Sequence, residues 1–187
     1  TLPEVQFQSG MAEVIKHGVI QGGLLWQRLK AESSPKLTIT DDVLKLSIET
    51  KLSIVKKDLH ELNLRKVLNF GHSIGHALES CYLSKGMPIE HGLAVAKGMI
   101  IESALAAEMG CLKHSDLLEI HSVLIHYMGL ESLTIPDWTE VRSYLRNDKK
   151  FSHDEMLFAL PMGIGKVAHS VAVEEGLVQT VYSKVFC

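Results

Sequence analysis

Two histidines lie four residues apart in the stretch NFGHSIGHALES, and each directly follows a glycine. Residues at this spacing share one face of an α-helix, so His72 and His76 can enter a single cleft. The pair is compatible with one metal ligand beside one acid/base group, or with two ligands. Because a helical glycine costs about 0.5–1 kcal/mol relative to alanine, Gly71 and Gly75 predict that another backbone or a bound ligand comes close.

Two further residues can complete a metal site around this pair. A catalytic zinc site takes three protein ligands and keeps a position open for substrate. Glu13 in AEVIKHG and His91 in IEHG are the candidates, on a mostly apolar helix and at the end of a loop with proline and glycine. The alternative is an accidental pair, because the chain has 10 histidines.

Basic side chains accompany these motifs. Lys16 follows Glu13 by three residues, and Lys51 stands among apolar residues of a predicted helix. If the histidine helix begins early enough, it carries one continuous polar stripe of Arg65, Asn69, His72 and His76. Such a stripe suits a small hydroxylated anion, because arginine binds carboxylate or phosphate through two parallel hydrogen bonds. A solvated helix face is the alternative.

Composition limits the classes of function. The 187 residues suffice for one core, and a formal net charge of −3 argues against a nucleic-acid or anionic-membrane partner. No apolar run approaches the roughly 20 residues that a membrane span needs. Three cysteines without CxxC spacing, Cys81, Cys111 and Cys187, indicate reduced thiols and a cytoplasmic location. The chain does not begin with Met, and its first residues resemble the interior of a longer protein.

Apolar periodicity predicts a mainly α fold, a multi-helix bundle-like domain with a short β-hairpin near the C-terminus. The predicted helices cover residues 11–31, 41–55, 69–83, 93–109, 115–128 and 138–145. The alanine-rich helix over 93–109 is expected to be buried, and Thr40 is expected to cap the helix that starts at Asp41. Strand–helix alternation, a Rossmann glycine pattern and a phosphate-binding P-loop are not found in the sequence.

Four motifs in this order resemble the C-terminal half of the 3-dehydroquinate synthase family of sugar-phosphate cyclases. They are TLPEVQFQSGMAEVIKHG, Lys51, ELNLRKVLNFGHSIGHALE and HGLAVAKGM. The resemblance implies a carbon–oxygen lyase of the shikimate pathway, which serves aromatic amino acid biosynthesis. This enzyme converts 3-deoxy-D-arabino-heptulosonate 7-phosphate, a phosphorylated sugar acid, to 3-dehydroquinate and phosphate. The resemblance further implies a reaction by transient oxidation by NAD, β-elimination, reduction and an intramolecular aldol step. It also implies Zn²⁺ or Co²⁺ as the metal and a homodimer as the assembly.

The resemblance also implies roles for individual residues. The implied metal ligands are Glu13, His72 and His91. The residues implied to move protons are His76 and Glu61. The implied substrate-binding residues are Lys16, Lys51, Arg65, Asn69 and, from the segment GIGKVAH, Lys166.

Two departures from the family pattern stand out. Leu93 occupies the position after His-Gly where the family often has an acidic residue, and we expect this to alter the surroundings of the ligands rather than the ligand set. The family's N-terminal NAD-binding domain has no counterpart here, so residues 1–187 are expected to form the helical metal- and substrate-binding domain alone. By itself this domain is expected to be inactive.

Several other interpretations remain open at this point. Another sugar-phosphate cyclase or a metal-dependent polyol dehydrogenase of the same superfamily would share these motifs in part. An HD-type phosphohydrolase needs a His-Asp pair, for which only His153-Asp154 is available. A non-catalytic helical interaction module would carry its histidines incidentally and bind no metal.

Overall fold

The computed structural model describes residues 3–31, 39–130, 135–146, 151–152 and 155–185. These ranges contain eight α-helices and one 3-10 helix: α1 Glu4–Gln21, α2 Gly23–Ala31, α3 Asp41–Lys57, the 3-10 helix Leu64–Asn69, α4 His72–Ser84, α5 His91–Glu108, α6 His114–Met128, α7 Trp138–Arg146 and α8 Glu175–Val185. They also contain an antiparallel sheet of β1 Phe151–Ser152, β2 Glu155–Gly163 and β3 Lys166–Glu174. The predicted mainly α fold with a C-terminal hairpin is confirmed. The pair His153-Asp154 lies outside the described residues.

Helix α5 forms the centre of the core. Gly92 and every residue from Ala94 to Ala106 are buried, as its alanine-rich sequence predicts. The helix packs against α1, α4, α6, α8 and β2. The starts of α4 and α5 both lie beside α1, through His72 with Glu13 and Gly92 with Ser9.

The crossing of α4 and α5 explains the glycines next to the histidines. A Cβ atom at Gly98 would overlap the carbonyl oxygen of Gly71 and lie 2.8 Å from the nitrogen of Gly75. A Cβ at Gly75 would lie 3.0 Å from Val95 Cα. The prediction that another backbone approaches Gly71 and Gly75 is confirmed, and that backbone belongs to α5.

The single helix predicted over residues 11–31 is wrong at both its start and its middle. Helix α1 begins at Glu4 and ends at Gln21, and the next residue, Gly22, turns the chain before α2 with a φ of 62° and a ψ of −140°. The tip of the hairpin presses on this turn, because a Cβ at Gly22 would lie 2.8 Å from Gly165 Cα. The Gly165 N–H also donates to the Val19 carbonyl over 2.8 Å. A contact from a distant part of the sequence thus fixes the break.

The C-terminal region contains the predicted hairpin and a helix that the sequence analysis missed. Strands β2 and β3 pair from Glu155 opposite Glu174 to Gly163 opposite Lys166. Helix α8 follows directly and buries Val178, Val181 and Tyr182 at helical spacing. Among the described residues, no helix combines the length and apolar character that crossing a bilayer requires.

Candidate metal centre

Three histidines from α4 and α5 converge on one point. His72 and His76 lie on the first turns of α4, and His91 is the first residue of α5. One ring nitrogen from each lies within 4.8 Å of the other two. The ring centroids of His72 and His76 are 5.2 Å apart, and those of His72 and His91 are 5.5 Å apart. Imidazole groups in this arrangement can hold a divalent transition-metal ion.

Glu13 reaches this cluster from α1. Its Oε1 lies 3.6 Å from Nε2 of His72, and Nζ of Lys16 lies 2.9 Å from both carboxylate oxygens. Burial alone would raise the pKa of Glu13, but the charge and hydrogen bonds of Lys16 outweigh it, and the net pKa is lowered. The carboxylate is therefore anionic at neutral pH and held in place beside His72.

The ring nitrogens that face away from the cluster are occupied. Nδ1 of His72 lies 3.2 Å from the Phe70 carbonyl oxygen, and Nδ1 of His91 lies 3.2 Å from Oε2 of Glu79. Both acceptors require a proton on Nδ1, which leaves the Nε2 lone pair for a metal. Burial is the largest cause that lowers the pKa of His72 to about 4, and the positive charge of Lys16 is the second. The neutral ring that metal binding needs is thus the ordinary state of His72.

The start of α5 is fixed against α1, which positions His91. The Gly92 N–H donates to Oγ of Ser9 over 2.9 Å. A Cβ at Gly92 would overlap the backbone of Ser9, so only glycine permits this approach. The same contact brings the helix that carries Glu13 next to the helix that carries His91.

Glu61, Arg65 and Asn69 form a second polar cluster, on the segment that precedes α4. Nδ2 of Asn69 donates to Oε1 of Glu61 over 3.1 Å, and Nε of Arg65 lies 3.8 Å from Oε2 of Glu61. The Asp58 carboxylate organises the preceding turn, because it accepts from the backbone N–H groups of Asn63 and Arg65 at 2.8 and 3.0 Å. A cavity of about 140 Å³ adjoins Glu61 and Asn69.

The predicted continuous helical stripe from Arg65 to His76 is wrong. Arg65 and Asn69 belong to the 3-10 helix, and α4 begins only at His72. Phe70 is fully buried between them, and Gly71 adopts a left-handed φ of 80°. The stripe is therefore two separate groups of side chains, one on each side of the Phe70–Gly71 turn.

The remaining predicted site residues differ in their positions. Lys51 is exposed on α3 and acts electrostatically on Lys16. Burial lowers the pKa of Lys16, Glu13 opposes this effect, and Lys51 adds to the lowering. Lys166 begins β3 at the hairpin tip, and within the described ranges no hydrogen bond or ion pair joins it to the other predicted residues.

Sequence analysis missed three polar residues that support this site: His17, Glu79 and Glu102. Glu79 lies three residues after His76, on the same helix face, which is a signal that helical spacing could have provided. His17 is buried, with 4% exposure, and its Nδ1 lies 2.7 Å from Oγ of Ser47 on α3. Its Nε2 is buried without a hydrogen-bond partner among the described residues.

The free energy of unfolding is expected to fall on acidification because of His17. Burial lowers its pKa to about 4, from an ordinary value of 6.5, and nearby charges modify the shift: Lys16, Glu13, Lys51 and His72. Between these pH values the unfolded chain binds the proton more readily than the folded chain. The free energy of unfolding therefore decreases by up to about 1.4 kcal/mol for each pH unit of acidification. Urea unfolding between pH 7 and 4.5 measures this slope. His17→Gln is expected to reduce the slope and to leave the part that His72 contributes, and an unchanged slope in this variant contradicts the prediction.

A helical domain that brings three histidines, a carboxylate and a lysine together is suited to bind a divalent cation. The chain belongs to the 3-dehydroquinate synthase C-terminal family, whose sequence model matches residues 10–151. The 3-dehydroquinate synthase of Rippkaea orientalis is 36% identical over 190 residues, which cover 97% of this chain and 51% of the relative. That of Prochlorococcus marinus is 40% identical over 177 residues, which cover 89% and 46%.

Solved structures share the fold. A 2-deoxy-scyllo-inosose synthase complexed with carbaglucose-6-phosphate, NAD⁺ and Co²⁺ superposes with a TM-score of 0.81 at 24% identity, over 96% of this chain and 52% of that one. The 2-epi-5-epi-valiolone synthase from Streptomyces hygroscopicus, with NAD⁺ and Zn²⁺ bound, gives 0.81 at 22% identity, over 99% and 52%. At these identities they establish the fold alone. The chain spans about half the length of the curated relatives described above.

Proposed function

We propose that this chain is the metal- and substrate-binding half of a 3-dehydroquinate synthase. The reaction is the conversion of 3-deoxy-D-arabino-heptulosonate 7-phosphate to 3-dehydroquinate and phosphate. The observation that carries the proposal is the convergence of His72, His91 and Glu13 from α4, α5 and α1, in a chain that belongs to the 3-dehydroquinate synthase C-terminal family.

The proposed ligands are Glu13, His72 and His91, and their chemistry fits Zn²⁺ or Co²⁺. Two imidazole nitrogens and one carboxylate oxygen form a common donor set for these ions and leave positions open for substrate oxygens. A bound ion of this kind polarises substrate hydroxyl groups and lowers their pKa. The Nδ1 contacts of both histidines and the Lys16 contact of Glu13 support this set, because each ligand has a second partner that orients it.

The surrounding residues are proposed to bind the substrate and to move protons. Lys16, Lys51 and Arg65 supply positive charge for the carboxylate and phosphate groups, which fixes the substrate's orientation. His76 lies beside the ligands on the exposed side and is proposed as an acid/base group. Glu61 is proposed as a proton acceptor whose orientation Asn69 maintains through its hydrogen bond. Lys166 is proposed as a further substrate contact from the hairpin tip.

NAD is proposed to bind mainly outside this chain. The described residues contain a three-stranded antiparallel sheet and no parallel strand–helix–strand unit of the kind that binds dinucleotides. The full activity therefore requires the part of the longer relatives that this chain does not span. Homodimer formation and a cytoplasmic location stay predictions.

Phosphate release tests the proposed function and the division of labour together. With the sugar phosphate, NAD and Co²⁺, the 187-residue chain alone is expected to release no phosphate. Fused behind the N-terminal half of a relative with known 3-dehydroquinate synthase activity, it is expected to release phosphate and form 3-dehydroquinate. Turnover by the chain alone contradicts the division, and an inactive fusion that still binds Co²⁺ contradicts the proposed reaction.

Another sugar-phosphate cyclase is the second candidate, and the solved neighbours favour it in fold alone. The relatives at 36% and 40% identity are 3-dehydroquinate synthases, so the sequence favours the first candidate. The same fusion protein separates the two, because a cyclase of another kind would use a sugar phosphate without the carboxylate. A helical interaction module would bind no Co²⁺.

A further inference from the structure

Glu102 is a fully buried glutamate on α5 that contacts the beginning of α4. Its Oε2 accepts a hydrogen bond from the Gly71 N–H over 2.6 Å, and its Oε1 accepts one from the Ile74 N–H over 3.1 Å. The first N–H groups of a helix have no partner within the helix itself, so α4 needs an acceptor from outside. Glu102 supplies this acceptor from a neighbouring helix.

The close crossing of the two helices excludes the usual local cap. The residue at the N-cap position of α4 is Gly71, which has no side chain to accept a hydrogen bond. A Cβ at this position would overlap Met99 and lie 2.8 Å from the Val95 carbonyl oxygen. Since α5 occupies the space of a capping side chain, the cap has to come from α5. A carboxylate is well suited to this role because the positive end of the helix dipole lies here.

We propose that Glu102 is a positioning residue for the metal centre. Its two hydrogen bonds bracket His72, because Gly71 directly precedes this histidine and Ile74 follows two residues later. They therefore fix the first turn of α4 and with it the direction of the His72 ring. His91 begins the helix that carries Glu102, so one carboxylate sets the placement of both histidine-bearing helices. This inference rests on the metal site of the proposed function.

Glu102→Gln in the 187-residue chain tests this role. Glutamine keeps the shape but offers one acceptor oxygen, and its NH₂ group faces the second backbone donor. Co²⁺ affinity, followed by the visible absorption of the bound ion, is expected to fall about 10- to 100-fold, as for other residues that orient metal ligands. Hydrogen exchange at the Gly71 and Ile74 amides is expected to accelerate in the same variant.

Ser103→Ala is the matched control. Ser103 is the next residue of α5 and is also fully buried, and its Oγ contacts the Met99 carbonyl at 2.6 Å and Nε2 of His121 at 3.0 Å. Its loss is expected to lower stability and to leave Co²⁺ affinity and the exchange of Gly71 and Ile74 unchanged. This separates a general loss of core hydrogen bonding from a loss of ligand positioning.

Three results would overturn the inference. Glu102→Gln with wild-type Co²⁺ affinity refutes the positioning role. If amide hydrogen exchange at Gly71 and Ile74 of the wild-type chain is as fast as at an uncapped helix end, the cap itself is refuted. This measurement does not depend on the folding of any variant. A wild-type chain that binds no Co²⁺ refutes the metal site of the proposed function, and the positioning role with it, and is distinct from the first two results.

Discussion

Replacing His72 with alanine is expected to lower Co²⁺ affinity by more than about 100-fold, because residues that only orient ligands already cost about 10- to 100-fold. His72 occupies the centre of the site, with Glu13 at 3.6 Å and ring contacts to both other histidines. A Co²⁺ titration, monitored by calorimetry or by the absorption of the bound ion, measures the loss of affinity. His126→Ala on the exposed side of α6 is the control and is expected to bind as the wild type does.

The same titration decides between two ligand sets. The geometry groups His72, His76 and His91 within 4.8 Å, whereas the proposed set replaces His76 with Glu13. We expect Glu13→Ala and His91→Ala to lose affinity to a similar extent as His72→Ala. His76→Ala is expected to keep most of its affinity and to abolish turnover in the fusion protein. If His76→Ala loses binding and Glu13→Ala does not, the ligands are the three histidines.

Gly98→Ala is expected to destabilise the chain by about 3 kcal/mol, the upper part of the range for overpacked cores. The added methyl group would overlap the Gly71 carbonyl oxygen, and two backbones cannot move aside as a flexible side chain can. Urea unfolding at neutral pH measures the change in the free energy of unfolding.

Gly10→Ala is the matched control for this substitution. Gly10 lies inside α1, and a Cβ there meets no atom within 4 Å. Alanine at this position is expected to stabilise the chain by about 0.5–1 kcal/mol, the difference in helix propensity. Equal effects of the two substitutions would show that the crossing of α4 and α5 is not tight, and the reason given for the two motif glycines would fail.

The sequence predicts those features of the fold that depend on interactions within a single segment. The spacing of His72 and His76 places both on one face of α4, and the Thr40 side chain accepts from the Val43 N–H as a cap of α3 should. The two glycines beside the histidines indicate a close backbone, since nothing in the helix itself favours glycine there. These features depend on periodicity and conformational preference, which a single segment contains.

Features set by distant segments could not be predicted in the same way. The break at Gly22 depends on Gly165, and the partner of the Gly71 N–H is Glu102, far along the chain. Helix α8 was not predicted, because the valines in GLVQTVYSKV have a local preference for a strand. The helix is favoured instead by the packing of Val178, Val181 and Tyr182, which it buries on one face. Assignment of the ligands depended on the family resemblance, because spacing alone leaves His76 and Glu13 equivalent.

The contact between Gly71 and Gly98 also limits how the site can change shape. Packed backbones without intervening side chains have no room to slide, so α4 and α5 move as one rigid body that carries all three histidines. The segment from Asp58 to Asn69 follows α3, and the Asp58 carboxylate fixes its turn by accepting from the Asn63 and Arg65 N–H groups. Glu61, with a left-handed φ of 55°, lies within this segment. The spacing of the three histidines is therefore set by the packing of two helices and not by a loop.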